Sequence, residues 1–307
     1  ANKPTGMTSS NLVVFVRRRL PKGTAIGHGG TLDPEASGVL PMCIGKATRL
    51  FDYIIDKKKT YVAELQLGQV TDTQDATGTV LEEKPVRAAQ AELEAILPEF
   101  VGEIEQIPPM YSAIKRDGKR LYQLARKGET VALEPRRCRV DDVRLLEKCG
   151  ENRYRIRVDC GKGVYIRTLC HDIGQRLGCG AHMRFLLRTF SAGFSIADAC
   201  TLEQVDADLN AHIMPIDAPI NHMPRVLCGS DLYARLRCGN RLAIDKLRGD
   251  VDAPGAIRLY VNREADIDTL ERDAQSGGVP AGYSFAGIVE RDGDETRFKA
   301  MLFEPED

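Results

Sequence analysis

Several absences narrow the 307-residue sequence before any motif is considered. No stretch approaches the roughly 20 consecutive apolar residues that a membrane-crossing helix needs. The first residues, Ala1-Asn2-Lys3-Pro4, lack the apolar core of a secretory leader, so a soluble, cytoplasmic protein is expected. The nine cysteines are odd in number, spread out and without a C-x-x-C pair. A disulfide framework or a structural zinc wants clustered pairs, so reduced thiols packed as small apolar groups are expected. H-E-x-x-H does not occur and the five histidines are scattered, which predicts no metal. The phosphate-cradling orders G-x-x-x-x-G-K-[ST] and G-x-G-x-x-G are missing too, as are internal repeats and low-complexity segments. No serine or cysteine sits in a recognisable nucleophile setting.

Charge is present but unevenly spread. The net charge is only −1, yet residues 111–190 hold 19 Lys and Arg against 9 Asp and Glu. Such a block suits a face that tracks phosphates. It equally suits a solvated face whose charges pair locally, and composition does not separate the two.

The length accommodates two domains. Thr8-Ser9-Ser10 ahead of Leu12, Val13, Phe15, Val16 and Leu20 predicts a capped amphipathic helix ending at Pro21. Val39 to Ile44 reads as one buried strand and Ala47 to Ile55 as a helix. Thr60 to Gly68 alternates as a half-buried strand does, with Tyr61, Ala63, Leu65 and Leu67 on one face. A loop at 71–78, a returning strand at Thr79-Val80-Leu81 and a helix from Ala88 to Leu97 follow. Asp117-Gly118 marks a turn, and Arg120 to Arg126 a short helix stopped at Gly128. Strands resume at Val140, a helix runs from Tyr165 to about Leu177, and His182 to Phe194 is a further strand. The Pro-rich stretch from Pro215 to Pro224 separates residues 1–224 from a small β domain at 225–307, with a hairpin signal at Asp292-Gly293.

The chemistry-bearing stretch is Gly27 to Pro41, a shaped loop in which Pro34 keeps Asp33 out of helical conformation. It contains His28, Asp33 and Glu35. Asp33 and Glu35 could pair as a glycosidase's carboxylates do, but nothing else points to sugar hydrolysis. An inert surface loop is an equal reading from spacing alone.

Several blocks in series decide the matter. Lys3-Pro4-Thr5-Gly6-Met7-Thr8-Ser9, the Gly27–Thr48 stretch, Tyr61 within T-Y-V-A-E-L-Q-L-G, and Thr71 to Gly78 resemble bacterial tRNA pseudouridine synthase B, the TruB family. Pro109 to Lys115 and Gly163-Val164-Tyr165-Ile166-Arg167-Thr168-Leu169 continue the resemblance, which runs to about residue 194. It implies an α+β catalytic domain with a mixed, mainly antiparallel sheet, and a PUA-like RNA-binding domain at the C-terminus. It implies a cofactor-free isomerase that flips the T-loop uridine of tRNA, position 55 in tRNA numbering, out of its stack and converts it to pseudouridine. A tRNA-binding or tRNA-folding protein with lost or secondary isomerase activity is the alternative.

By the same resemblance the catalytic aspartate falls on Asp33, its guanidinium partner on Arg167 and the stacking tyrosine on Tyr61. Tyr165 becomes a pocket wall. His28 falls on the histidine that enters the space the base leaves, Lys115 fits a phosphate contact, and Asp75 orders its loop or pairs with a basic neighbour. A monomer without obligatory protein partners is implied. The chain departs from the family pattern at Asn2, Gly29 and Leu187, and the strand that usually precedes the first block is missing, so the natural sequence is expected to begin further upstream.

Overall fold

The alternation around Tyr61 is realised in a nine-residue strand, Lys59–Leu67, that forms the middle of an eight-stranded sheet. A computed structural model describes residues 1–302 except 56, 57, 113, 117, 126, 127 and 130; at 55, 115, 116, 119, 120, 122 and 237 it describes the backbone alone. The chain divides into two units. One comprises Ala1–Pro21, His28–Met42 and Ile55–His212; the other comprises Lys22–Gly27, Cys43–Ile54 and the chain from Ile213 onward.

In the first unit the sheet strands are β1 (Asn2–Lys3), β2 (Ser37–Val39), β3 (Lys59–Leu67), β4 (Gly102–Gln106), β5 (Arg136–Gly150), β6 (Arg153–Cys160), β7 (Ala181–Ser191) and β8 (Phe194–Ser195). Their spatial order is β1-β2-β7-β3-β6-β5-β4, with β8 folding back on β7. Only β2 and β7 run parallel; the other pairs are antiparallel. The fold is therefore α+β with a mainly antiparallel sheet, as expected. Register sets the site: Tyr61 on β3 stands opposite Val158 on β6 and Arg188 on β7. Because side chains alternate along a strand, Tyr61, Ala63 and Leu65 share the inner face with Ile156, Val158 and Leu186, all buried.

Two helices hold the segments that flank the site. α1 (Ser9–Arg17) begins where the Thr8 hydroxyl accepts from the Asn11 N–H and buries Leu12, Val13 and Val16; it stops four residues before Pro21. α2 (Ile166–Arg176) starts after Tyr165 and buries Leu169, Cys170 and Ile173. The strand expected from Val39 to Ile44 is instead two, β2 and Met42–Ile44, interrupted at Leu40-Pro41, where proline has no N–H for a ladder. The Asp117-Gly118 turn lies between short paired strands, Lys115–Arg116 and Lys119–Arg120, although Asp117 itself is outside the described residues.

The second unit carries a five-stranded sheet. Its strands are β9 (Arg225–Cys228), β10 (Arg248–Gly249), β11 (Ala256–Val261), β12 (Ser284–Asp292) and β13 (Glu295–Met301), in spatial order β10-β9-β11-β12-β13. Val226, Leu259, Val261, Leu236, Leu242 and Val289 pack as its core. The β12–β13 hairpin forms where expected but turns at Gly293-Asp294, one residue past the predicted dipeptide, because Asp292 still pairs with Glu295. An amphipathic helix, α3 (Ile267–Ala274), capped by the Asp266 carboxylate on the Thr269 N–H, was not anticipated from the β-rich pattern around it.

Candidate active site

The loop between His28 and β2 is pinned from three sides. The Ser9 hydroxyl on α1 donates to the Leu32 carbonyl and accepts from the Leu32 N–H, both at 2.9 Å. The fully buried Lys3 ammonium donates to the carbonyls of Pro4, Met7 and Pro34, the last at 3.1 Å, and the Gly6 N–H also reaches Pro34. Burial pulls the Lys3 pKa down to about 8. Within the loop the Ala36 N–H closes a turn on the Asp33 carbonyl, which leaves the Asp33 side chain facing out of the turn.

That side chain meets Arg167. The guanidinium, 5% exposed, places Nε 3.0 Å from Asp33 Oδ2 and Nη1 3.6 Å from Asp75 Oδ2. Its remaining N–H groups donate to the carbonyls of Thr73 at 3.1 Å and Tyr111 at 2.8 Å. Arg167 can be held so because it lies in the first turn of α2, where the adjacent Thr168 hydroxyl bonds the Gln74 side chain. Asp75 is itself fixed: its Oδ1 accepts from the Thr73 hydroxyl, the Thr77 N–H and the Thr77 hydroxyl. One buried cation thus serves two carboxylates. A buried charge in this arrangement is satisfied by geometry as well as by Coulomb attraction.

Of the two carboxylates, Asp33 is the one open to a cavity, with 37% of its side chain exposed. Burial pushes its carboxyl above the ordinary value, Arg167 pulls it back, and the like charge of Asp75 pushes it up again. The cavity, about 380 Å³, is lined by Gly30 to Asp33, Lys59, Tyr61, Ser112, Ile114, Gly161 to Arg167, Leu186 and Arg188. Apolar and aromatic side chains share its walls with charged ones, Asp33, Lys59, Lys162, Arg167 and Arg188. Tyr61 is 7% exposed; burial pushes its phenol up, the charge of the nearby Arg188 guanidinium pulls it down, and its ring supplies a flat face. The Tyr165 phenol is likewise raised by burial, against the Ser112 hydroxyl.

The structure thus brings Asp33, Arg167, Tyr61 and Tyr165 to one cavity, with Asp75 immediately behind Arg167. His28 ends the short strand Ile26–His28 and is not among the residues lining the cavity. Lys115 contributes backbone to a short strand, and its side chain lies outside the described residues. Sequence reasoning missed Arg188, Lys59 and Gln106. Gln106 clasps the backbone of Tyr165 by donating to its carbonyl at 3.2 Å and accepting from its N–H at 2.9 Å. Arg188 did leave a signal: a charge at an inward position of an alternating strand, two residues after Leu186.

Comparison with known proteins bears on what this cavity does. The family model described as TruB family pseudouridylate synthase (N terminal domain) matches residues 18–166, and that of the tRNA pseudouridylate synthase B C-terminal domain matches residues 167–221. A tRNA pseudouridine synthase B of Alkaliphilus oremlandii is 43% identical over 266 residues, covering 85% of this chain and 88% of the relative. One from Thiobacillus denitrificans is 42% identical over 277 residues, covering 89% and 91%. Among solved structures, a chain from an H/ACA RNP bound to a substrate RNA containing 2′-deoxyuridine superposes with a TM-score of 0.69 at 22% identity, covering 99% of this chain and 84% of that one. A chain from a Cbf5-Nop10-Gar1 complex gives 0.63 at 26% identity, covering 94% and 83%.

Proposed function

Since the chain belongs to the TruB family of pseudouridylate synthases, we propose that it isomerises the T-loop uridine of tRNA, position 55, with Asp33 as the reactive group. The observation that carries this reading is the Asp33 carboxylate, held by a buried guanidinium and still open to a cavity walled by Tyr61 and Tyr165. The isomerisation breaks the C1′–N1 bond, turns the uracil and joins C5 to C1′; the C5 proton is lost and N1 gains one. Atoms and electrons balance without an oxidant or reductant. As N1 leaves, C1′ becomes electron-poor, and a carboxylate held in a partly desolvated site stabilises or captures it.

A base in a folded loop has to leave its stack to reach such a cavity, and an aromatic face gives it somewhere to stack. Tyr61 supplies that face. The raised pKa of Asp33 fits the task, because a more basic carboxylate is the better nucleophile provided it is charged at the working pH. The family relatives are named for tRNA, and the chain is read as acting on tRNA by itself.

The test is Asp33→Asn in a single-turnover assay of pseudouridine formation on a full-length tRNA transcript. The expected outcome is a rate loss of at least about 1,000-fold with tRNA affinity within about threefold of the parent, as for removal of a group acting only in the transition state. An Asp33→Asn protein of parental rate overturns the assignment. An inactive parent that still binds tRNA points instead to a tRNA-binding or tRNA-folding protein.

A further inference from the structure

Arg188 is 1% exposed, among the most deeply buried large side chains of the protein. Among the described residues no carboxylate pairs with it. Its Nε donates to the Val39 carbonyl at 2.8 Å and its Nη2 to the Gly30 carbonyl at 3.0 Å. These carbonyls are the two ends of the segment that carries Asp33. One planar guanidinium therefore closes the base of the loop, and its backbone neighbour does the same: Leu187 and Arg188 pair in parallel with Ser37 and Gly38.

This closure explains the glycine at one end, and a left-handed backbone the glycine at the other. Gly38 has φ +109°, and a Cβ there would fall 2.2 Å from the Arg188 carbonyl oxygen. Gly30 has φ +95°, and a Cβ there would lie 3.7 Å from Arg188 Nη1. Tyr61 stands directly across the ladder from Arg188, close enough that the guanidinium's charge pulls its phenol pKa down. Burying a charge without a carboxylate is costly, and an apolar residue would pack the same volume more cheaply. What an apolar residue lacks is a rigid fork with two donors aimed at two acceptors, and lysine lacks it as well.

We propose that Arg188 is the positioning residue of the site: it sets the Asp33 loop and the Tyr61 ring in one frame, so that the carboxylate and the stacking face keep a fixed separation. This rests on the reading of Asp33 as the reactive group, but the clamp itself is testable without catalysis. Hydrogen exchange of the full chain reads the clamp, and single-turnover rate with tRNA affinity reads its use, in Arg188→Lys and Arg188→Ala. In both variants exchange at amides 31–40 is expected to rise about tenfold or more, while the β5–β6 ladder keeps its protection. Arg188→Lys is expected to lose about 100-fold in rate, the loss that a misplacement of about 1 Å produces. Its tRNA affinity should stay within about threefold, because the loss falls on positioning and not on ground-state binding. Millimolar guanidinium chloride should restore part of the Arg188→Ala rate and leave the parent unaffected, which a merely structural role does not predict. Unchanged exchange at 31–40, or an Arg188→Lys rate within about threefold of the parent, overturns the proposal. Should Arg188→Ala not fold, Arg188→Lys decides both points; should the parent itself not modify tRNA, the reading of function falls and exchange still decides the clamp.

Discussion

The two faces of the central sheet both carry arginine–carboxylate clusters, built on opposite plans. On the cavity side one guanidinium, 5% exposed, serves two carboxylates, Asp33 and Asp75. On the other face, reached from Tyr61 by three residues along β3, one carboxylate, Glu64 at 12% exposed, serves Arg153 at 3.4 Å, Arg155 at 3.8 Å and Arg184 at 3.4 Å. Those arginines are 36–52% exposed and end in solvent. Where the cation is buried, the geometry is fixed and an anion is left facing a cavity; where the anion is buried, the cations are solvated and the cluster has no reactive end. A good part of the basic block of residues 111–190 is paired locally at the surface, with carboxylates that, Asp141 apart, are solvated as the arginines are. Arg137 lies near Glu105, Arg139 near Glu103 and Asp141, Arg144 near Asp142, and Arg176 near Glu99. For those residues local pairing holds, and a phosphate-tracking face has to draw on the rest of the block.

The comparison is broken most severely at Arg167. Arg167→Met strands two carboxylates, and removal of one partner of a buried pair typically costs about 3–5 kcal/mol. Asp75, 16% exposed, should carry most of that, since solvent screens the more open Asp33. The expected result is a fall in urea midpoint together with a rate loss of about 1,000-fold, measured at a temperature where the variant stays folded. A folded Arg167→Met protein of near-parental rate would make the cavity-side cluster as inert as the other.

Asp75→Asn sharpens the contrast in a smaller way. In the proposed role Asp33 has to be ionised, so the rate should fall as pH drops through its pKa, which lies above the ordinary 3.8. Asp75 is one of the groups pushing that pKa up, so its neutralisation moves the acid limb of the pH–rate profile to lower pH. The plateau rate should drop by about 10–100-fold, because Arg167 loses one of its two anchors. A limb that moves upward contradicts the like-charge account of the pair.

How far this was legible in the sequence differs between the two faces. The strand holding Tyr61 and the turn before α2 follow from alternation and from proline and glycine placement, and the block around Tyr165 and Arg167 carried the resemblance. Periodicity could not show that Asp33 and Arg167 meet, since 134 residues separate them and only the β7–β3–β6 register brings their segments together. It also could not show that Arg188 closes the loop, because a buried arginine without a carboxylate reads in sequence as one more basic residue of a basic block. α3 was overlooked because its eight residues hold few apolar positions, and its cap, Asp266, is identifiable only once the helix is known. The break at Leu40-Pro41 was missed for a different reason: an apolar run gives no sign of where a ladder ends until the partner strand is known.

The smallest effect is expected at Arg184. It is 52% exposed and shares Glu64 with Arg153 and Arg155, so Arg184→Ala leaves that carboxylate with two partners and uncovers no buried charge. An exposed pair of this kind is worth about 0–1 kcal/mol, and the unfolding free energy from urea titration should fall by no more than that. Glu64→Gln is the sharper version, because it leaves three arginines around a neutral group at 12% exposure; a loss of about 1–3 kcal/mol with an unchanged rate is expected. The two rates are the informative readout. Because β3 carries Tyr61 on one face and Glu64 on the other, a backbone shift caused at Glu64 reaches the cavity within three residues. A rate that falls at unchanged stability in either variant would therefore mean that the solvated cluster sets the position of Tyr61, and the two faces would have to be treated as one site.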